Sequence, residues 1–490
     1  MHPTPSDAPK RLVLVSDHLR IPYANGSSFA SQWLVRALGA RGTDVTVVGP
    51  DDPLATAADY PPRYVAMPSL PFRAVPGVHL ALPSKTALRE IARSQPEAVI
   101  AQAATALLDV GVWLREQHGV PMLSVNTLHL PSAYNAALPP FLDRRATVRL
   151  ALEKTVIAFG EAQSVDAYNR GDGLVVLSSG LAQYWRDRGL TVPAHVIPRA
   201  IDPSHFDRPV GADPFPALGH APKGGRLLCV CRHVREKSLH RLLEAIATHV
   251  FPASPEATLT LVGDGAERHE LTAQAERLGV AERVFFPGEQ SRDTLVDWYG
   301  HADLFLYMSL SETYGQVVTE ALWNRLPAVA FDDGMGVRDQ IAAGRDGELV
   351  LPGHDRRSED AADAEFGAHV VRLLAAPELR RQYSAEAGRR ARFRADPSRV
   401  ADRWVKVLGE AKAHRDAHRQ PVPSEVPLLA RWAGVHGLAF GLGLLRAPQH
   451  PASSARVPGW DVTPDPRTLS ADDEVPPRPS GLQPPTPRPS

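Results

Sequence analysis

Two glutamates eight positions apart, Glu312 and Glu320, lie in the stretch SETYGQVVTEALWNRLPAVAF at residues 311–331. Glu312 belongs to a polar segment that contains Gly315, and Glu320 belongs to an apolar run with helical spacing. If the whole stretch were helical, the two acids would lie about 80° apart around the axis and about 12 Å apart along it, facing one cleft. A carboxylate accepts hydrogen bonds from two hydroxyls, which suits a sugar ring or a ribose. The alternative is that Glu312 caps a helix and Glu320 lies on the surface.

The helix of this stretch is predicted to begin near Gly315. Backbone N–H groups at a helix start have no acceptor within the helix. The helix dipole adds about 0.3–1 kcal/mol in favour of an anion at that end. The start of this helix is therefore a candidate contact for a negatively charged group.

A pair of cations, Arg232 and Lys237, follows the apolar run RLLCVC in the segment CRHVREKSLHRLLEA. Both lie in a short loop that enters a predicted helix. Two cations beside a helix start suit a doubly charged anion such as pyrophosphate. The alternative is an ordinary solvated turn.

Two glycines, Gly263 and Gly265, end the predicted strand in LVGDGAERHEL, and a helical pattern follows them. Glycine has no Cβ, so the backbone at these positions can approach a flat ligand closely. This G-x-G pattern is shorter than the G-x-G-x-x-G fingerprint of dinucleotide-binding sites.

The elements that must position these residues alternate between short apolar runs and helix-sized segments. This alternation predicts parallel sheets that are covered by helices on both faces. The runs form two series, separated by a segment rich in proline, glycine and aspartate at 198–225. We therefore predict an α/β protein with two Rossmann-like domains that face each other across a cleft. The predicted units are an N-terminal domain at 1–200, a C-terminal domain at 201–396, a helix at 397–415 that packs back on the body, and a mostly disordered, proline-rich tail at 416–490.

Composition excludes some classes of function. The chain of 490 residues has 54 basic and 55 acidic side chains and a net charge of -1, so no nucleic-acid partner is expected. Its cysteines, Cys229 and Cys231, are neighbours on one strand that rarely form a disulfide, which indicates a reducing, cytoplasmic setting. No clean apolar run of transmembrane length is present. The segment 428–446 would lie on a membrane surface or pack on the body.

Taken in order, these motifs resemble those of the retaining family-4 glycosyltransferases, which have the GT-B fold, over roughly residues 10–415. The resemblance implies that Glu312 contacts the donor sugar and that Glu320 binds ribose hydroxyls. It assigns the donor pyrophosphate to Arg232 and Lys237. It also implies that backbone amides at residues 314–316, from Tyr314 through Gly315 to Gln316, contact sugar hydroxyls and phosphate.

The first domain resembles the family at two further motifs. IPYANGSSFASQWL is similar to the loop near the donor phosphates, which makes Gly26 a candidate, and VNTLHLPSAYN is similar to a loop whose histidine lies near the transferred sugar, which points to His129. Without that context a lone histidine is more often structural. Ala200 and Cys231 stand where the family usually has glycine.

The sequence contains no D-x-D motif of the kind that holds a metal on the donor diphosphate in GT-A enzymes. The cations Arg232 and Lys237 and a helix start would carry the phosphate charge instead. We therefore expect no essential metal and no cofactor other than the nucleotide sugar, which is a co-substrate.

The expected reaction is transfer of a hexosyl group from a nucleotide diphosphate sugar, of the UDP-glucose or GDP-mannose type, to a glycan or lipid acceptor with retained configuration. The alternatives are a GT-B sugar-nucleotide epimerase, a non-catalytic nucleotide-sugar binding protein, and a scaffold that acts through the proline-rich tail. The segment 141–159 has a basic amphipathic pattern with Arg144, Arg145 and Arg149. It would meet anionic lipids at the inner membrane face, or be a solvated helix face.

Overall fold

The first of two parallel sheets is built by the N-terminal part of the chain. In this computed structural model the described residues are 8–17, 26–52, 60–71, 79–81, 84–103, 107–127, 146–218, 225–310, 312–418 and 422. The strands are β1 (Arg11–Ser16), β2 (Asp44–Pro50), β3 (Tyr64–Met67), β4 (Ser69–Pro71), β5 (His79–Ala81), β6 (Ala98–Gln102), β7 (Met122–Asn126), β8 (Gly173–Val176) and β9 (Ala194–Val196). The helices are α1 (Gly26–Gly39), α2 (Lys85–Arg93), α3 (Leu108–His118), α4 (Ala146–Asn169) and α5 (Ser179–Arg186).

Seven of these strands form one sheet in the order β3-β2-β1-β6-β7-β8-β9, and β4 and β5 pair separately as an antiparallel hairpin. The sheet is parallel throughout. Its central strands are apolar runs that are buried on both faces: β6 and β7 are buried at every position. Such continuous burial is what a sheet between two helix layers requires.

The C-terminal part of the chain repeats this arrangement. Its six strands are β10 (Arg226–Val230), β11 (Thr258–Val262), β12 (Val284–Gly288), β13 (Leu304–Tyr307), β14 (Ala328–Phe331) and β15 (Gly347–Val350). Its helices are α6 (Pro203–Phe206), α7 (Leu239–Ala245), α8 (Arg268–Arg277), α9 (Arg292–His301), α10 (Gln316–Trp323), α11 (Gly336–Gln340), α12 (Arg356–Ala375) and α13 (Pro377–Ala395). A final helix, α14 (Pro397–Ala417), follows.

The strand order reverses once in each sheet. In the second sheet the order is β12-β11-β10-β13-β14-β15, so the chain leaves β10 towards one edge and returns at β13 to build the other. The loops that follow β10 and β13 therefore diverge and leave a crevice at the carboxyl ends of the strands. The reversal in the first sheet lies between β1 and β6. These two reversals position the candidate site.

Helix α14 belongs to the second half of the sequence but packs on the first domain. Its buried residues Val400, Trp404 and Leu408 share one apolar cluster with Leu12 and Leu34 of the first domain. A salt bridge of 2.8 Å joins Arg41 to Asp402 on the same face. The helix thus ties the end of the second domain to the first.

The predicted α/β architecture of two Rossmann-like domains is confirmed. Strands that the apolar runs did not predict are β3, β4, β5 and β9. They are only three or four residues long, so no periodic signal marks them. The predicted disordered tail lies outside the described residues, apart from 416–418 and 422.

The structure describes only part of the segments for which the sequence suggests membrane contact. Among the described residues, no helix combines the length and the apolar character that crossing a membrane requires. The segment 428–446 and residues Arg144 and Arg145 lie outside the described residues, and the structure describes only the backbone at Arg149 in α4.

Leu408→Ala should lower the free energy of unfolding by about 2–5 kcal/mol, because it removes a buried side chain of α14 from the apolar cluster. The matched control is Lys406→Ala on the same helix, whose side chain is 68% exposed. This control should stay within about 0.5 kcal/mol of wild type. Thermal and urea unfolding of the full chain would measure both variants. Equal stability of the two variants would contradict the packing of α14.

Candidate active site

The loops after β10 and β13 meet through one ion pair. After β10 the chain forms a short turn, Arg235–Lys237, and Ser238 then adopts a left-handed conformation at φ 54 before α7 begins. After β13 the chain reaches Glu312. The ammonium group of Lys237 contacts Oε1 of Glu312, and the two side chains are only 15% and 13% exposed. Two charges 75 positions apart in sequence are thus joined in the crevice.

Glu312 is held by further donors. The hydroxyls of Tyr307 and Ser309 each donate to the same Oε1 atom at 2.7 Å. Burial acts to raise the pKa of Glu312, but the charge of Lys237 and these hydrogen bonds outweigh it and lower the pKa below its ordinary value. Glu312 is therefore a fixed carboxylate. No described residue donates to its second oxygen, Oε2, which leaves that atom available to a ligand hydroxyl.

Helix α10 begins at Gln316, so Glu312 lies in the loop before it, and the axial spacing expected for a continuous helix does not apply. The turn into the helix is made by Gly315, whose φ of 77° is in the region that favours glycine. In the described part of the chain nothing accepts a hydrogen bond from the backbone N–H of Tyr314, Gly315 or Gln316. These amides are available to an anion or a hydroxyl, as an open helix start allows.

Glu320 lies on α10 and is only 5% exposed. The hydroxyl of Tyr299 donates to its Oε2 atom at 3.1 Å. Burial raises the pKa of Glu320 to about 7, although the charge of Arg292 acts in the opposite direction. The alternative of a capping acid and a surface acid is wrong, because both Glu312 and Glu320 are enclosed and held by specific donors.

Glu320 and Gln316 line a pocket between the two domains. Its opposite wall includes Gln102, the last residue of β6, and Thr127, which follows β7. Thr313 donates to the backbone oxygen of Thr127 at 3.1 Å, so the loop that carries Glu312 touches the first domain directly. The carboxyl ends of both sheets therefore border one cleft.

Close backbone contacts explain why glycine is required at Gly263 and Gly265, and the sequence did not show these contacts. A Cβ at Gly263, where φ is 127°, would overlap the carbonyl oxygen of Cys231, and a Cβ at Gly265 would overlap that of His233. Backbone hydrogen bonds connect the same two segments. The N–H of Cys231 donates to the carbonyl oxygen of Val262 at 3.0 Å, and the N–H of His233 donates to that of Asp264 at 2.8 Å. The glycines thus support the loop on which Arg232 lies.

Arg232 itself is exposed, and its guanidinium has no partner in the part of the chain that the structure describes. Gly26 is the first residue of α1, directly after a segment outside the described residues. His129 also lies outside the described residues, so its predicted place near the transferred sugar stays a prediction.

Several side chains of the site were missed by sequence reasoning. Tyr307 and Ser309 lie at the end of β13, where the strand-end rule could have found them. Tyr299 and Arg292 lie on α9, which no motif connects to the glutamates. Only the tertiary structure brings them to Glu320, Tyr299 through its hydrogen bond and Arg292 through its charge.

Two family models match this chain. The model described as Glycosyltransferase Family 4 matches residues 26–205. The model described as Glycosyl transferases group 1 matches residues 214–390, which include β10–β15 and both glutamates.

This chain is a family-4 glycosyltransferase.

The glycosyltransferase resembles known enzymes over most of its length. It is 29% identical over 319 residues to D-inositol 3-phosphate glycosyltransferase 2 of Catenulispora acidiphila, covering 62% of this chain and 70% of that protein. It is 26% identical over 427 residues to the GDP-mannose-dependent alpha-mannosyltransferase of Mycolicibacterium smegmatis, covering 83% of this chain and 97% of that protein.

Its fold is shared with solved structures. The structure of Anabaena HepE in complex with UDP and glucose matches with a TM-score of 0.59 and 17% identity, covering 81% of this chain and 99% of that one. This likeness establishes the GT-B arrangement of two Rossmann-like domains. The protein is a GT-B glycosyltransferase that uses nucleotide sugars, a transferase of EC class 2.4.

Gly263→Ala should displace the loop that carries Arg232, because the added methyl group would overlap the carbonyl oxygen of Cys231. We expect the affinity for a nucleoside diphosphate, measured by calorimetry, to fall about tenfold or more, which is about 1.4 kcal/mol. Gly279→Ala is the matched control, because φ there is 69° but no atom lies within 4 Å of the added Cβ. This control should lose some stability and keep its nucleotide affinity. Unchanged affinity in Gly263→Ala would show that the glycine does not position the loop.

Donor affinity should depend on pH through Glu320. Since burial raises the pKa of Glu320 to about 7, the carboxyl group keeps its proton below that pH and ionises above it. Only the ionised form offers both oxygens to a pair of hydroxyls. We expect affinity for the nucleotide sugar to fall by up to about tenfold per pH unit below about pH 7.

Glu320→Gln is the control for this pH dependence, because its side chain does not titrate. Its affinity should be low and nearly constant between about pH 6 and pH 8. Calorimetric titrations at several pH values would compare the two proteins. Parallel pH profiles would exclude Glu320 as the group that titrates.

Proposed function

We propose that this enzyme transfers a hexosyl group from a nucleotide diphosphate sugar to a hydroxyl of a glycan or lipid acceptor, with retained configuration. The observation that carries the proposal is the ion pair between Lys237 and Glu312 at the carboxyl ends of β10 and β13. It places a cation for phosphate beside a carboxylate with one oxygen available to a sugar. Membership in a retaining family supports the stereochemistry.

The departing diphosphate would be stabilised electrostatically. Arg232 and Lys237 lie on the loop after β10, and the amides at 314–316 lie at the start of α10. Fixed donors aimed at developing negative charge are a common source of rate enhancement in enzymes. The arrangement would let the leaving phosphate hold the negative charge that forms when the sugar–phosphate bond breaks.

A covalent intermediate on Glu312 is disfavoured by its surroundings. Its Oε1 atom already accepts from Lys237, Tyr307 and Ser309. A carboxylate stabilised by three donors is a weak nucleophile, because ester formation at either oxygen would remove the negative charge that those donors stabilise. We therefore favour attack of the acceptor hydroxyl on the same face as the leaving group, with the leaving phosphate taking the proton.

The donor would be bound at both ends by carboxylates. Glu312 Oε2 would accept from a hydroxyl of the hexose, and Glu320 would accept from the ribose hydroxyls. UDP-glucose and GDP-mannose remain the leading donors: HepE is seen with UDP and glucose, and the mycobacterial relative is described as GDP-mannose-dependent.

Contacts between the domains would enclose the reaction. Asp339 accepts hydrogen bonds from the backbone N–H of Ser179 at 2.5 Å and from its hydroxyl at 2.6 Å, which joins α11 to the start of α5. Thr313 adds its contact with Thr127. Closed domains exclude water and align the acceptor.

We also propose that catalysis needs no metal, because cations of the chain would neutralise the diphosphate. The test is activity in the presence of a chelator.

A cytoplasmic location is part of the proposal and is supported by the free thiols of Cys229 and Cys231, whose sulfurs lie 3.9 Å apart and form no disulfide. Contact with the inner membrane face stays a proposal for the lipid-acceptor case.

The function would be tested with a panel of nucleotide sugars and an extract of lipids and oligosaccharides, followed by mass spectrometry. One donor should give a product that is heavier by one hexosyl residue and appears only with acceptor present. Conversion of the donor without acceptor would instead favour an epimerase. Binding without turnover of any donor would favour a non-catalytic nucleotide-sugar binding protein.

Arg232→Gln should weaken binding of the nucleoside diphosphate by about tenfold or more, because it removes a charged hydrogen-bond donor from the phosphate. Arg235→Gln is the matched control, since Arg235 is also exposed on the same loop.

Lys237→Met should lower kcat by about 100-fold, because it removes the cation that stabilises the leaving group and fixes Glu312. Calorimetry and initial rates would measure these effects. Wild-type kinetics in Lys237→Met would refute its role.

A further inference from the structure

The pocket between the domains contains an arginine that the donor site does not use. Arg199 lies in the segment that follows β9, where the chain passes from the first domain to the second. Its side chain lines the same pocket as Glu320 and Gln316. Its backbone oxygen accepts a hydrogen bond from the hydroxyl of Tyr314 at 3.1 Å, so its backbone is fixed against the loop that precedes α10.

The guanidinium of Arg199 has no hydrogen-bond or ion-pair partner in the described part of the chain, and its Nε atom is buried without an acceptor. Burial lowers the pKa of Arg199 to about 10. The electrostatic effect of Tyr314 raises this pKa, and the smaller effect of Arg292 lowers it. Arginine in proteins is normally charged at all accessible pH values. This charge is therefore held in the pocket without compensation.

The other charges of the pocket are already matched. Arg36 forms a 3.4 Å salt bridge with Asp202. Arg292 interacts electrostatically with Glu320 and with Asp202. The pocket wall thus has three guanidinium groups against two carboxylates, and burial keeps one of these carboxylates partly protonated near neutral pH. The excess positive charge belongs to Arg199.

Arg199 is half-buried, and a charge that is partly removed from water without a partner is costly, because charges in protein interiors are normally paired. The missing partner of Arg199 would be an anion that enters the cleft from solvent. Glu320 and Gln316 of the proposed donor site line the same pocket as Arg199. The donor diphosphate, however, is assigned its own cations, Arg232 and Lys237, on a different loop after β10. The wall around Arg199 also includes the half-buried Trp33, whose indole could offer an apolar face to a ring or a chain.

We propose that Arg199 is an acceptor-binding residue, which holds a phosphate or carboxylate group carried by the acceptor while the indole of Trp33 contacts the acceptor's apolar body. The inference rests on the proposed function and narrows the acceptor to an anionic glycan or lipid. The inference also explains why the enzyme would select anionic acceptors, because a neutral acceptor would leave the Arg199 charge unpaired.

The test uses the full chain saturated with UDP or GDP, whichever binds, so that the diphosphate loop is occupied. Inorganic phosphate is then titrated in one arm and acetate in the other, by calorimetry. Wild type should bind at least one of the two anions. Arg199→Gln should weaken that binding about tenfold or more, Arg199→Lys should keep part of it, and the exposed control Arg186→Gln should match wild type.

Two further readouts separate binding from folding. Without added anion, the Tm of Arg199→Gln should be no lower than that of wild type, because the variant lacks the unpaired charge, and its affinity for the nucleoside diphosphate should be unchanged. With the acceptor found in the donor panel, Arg199→Gln should raise the acceptor KM by a larger factor than it lowers kcat.

The inference is overturned if nucleotide-loaded wild type binds neither anion, or if Arg199→Gln binds them as wild type does. Loss of anion binding in Arg232→Gln alone would also overturn it, because the anion would then occupy the diphosphate loop. Failure of the chain to bind any nucleoside diphosphate or nucleotide sugar is a different result, which refutes the proposed function itself.

Discussion

The contact between Lys237 and Glu312 is the interaction on which the site depends. Each residue comes from a loop at the carboxyl end of a different strand, and β10 and β13 are neighbours only because the strand order reverses between them. The pair fixes the ionised state of Glu312 and orients it, and the hydroxyls of Tyr307 and Ser309 reinforce this orientation. A cation and a carboxylate held in this way can contact the phosphate and the sugar of one donor.

The loop that supplies Lys237 is itself supported by the neighbouring strand. Gly263 and Gly265 give the backbone of residues 231–233 room to lie against the loop after β11, and hydrogen bonds connect the two segments. These glycines resemble a ligand-binding motif in the sequence, but in the structure their nearest neighbours are backbone atoms of the protein. Their contribution to the site therefore acts through the position of Arg232.

The two glutamates are chemically different although they lie on one short segment. Glu312 is kept ionised by an adjacent cation, whereas burial gives Glu320 a pKa of about 7. In the same cleft Arg199 keeps a charge that no described residue balances. The pocket that Glu320 and Arg199 share thus has an excess positive charge among its described residues.

The sequence by itself determined the alternation of strands and helices, the two-domain organisation, and the order of the charged motifs at strand ends. These features follow from local periodicity and from turn residues, which are read over a few positions. The tertiary structure alone decided that Glu312 precedes its helix and contacts Lys237, that the glycines pack against a neighbouring loop, and that Arg292 and Tyr299 reach Glu320. It also decided that the guanidinium of Arg199 has no partner among the residues that the structure describes. Burial and charge pairing depend on residues that are far apart in the chain, so no short sequence pattern records them.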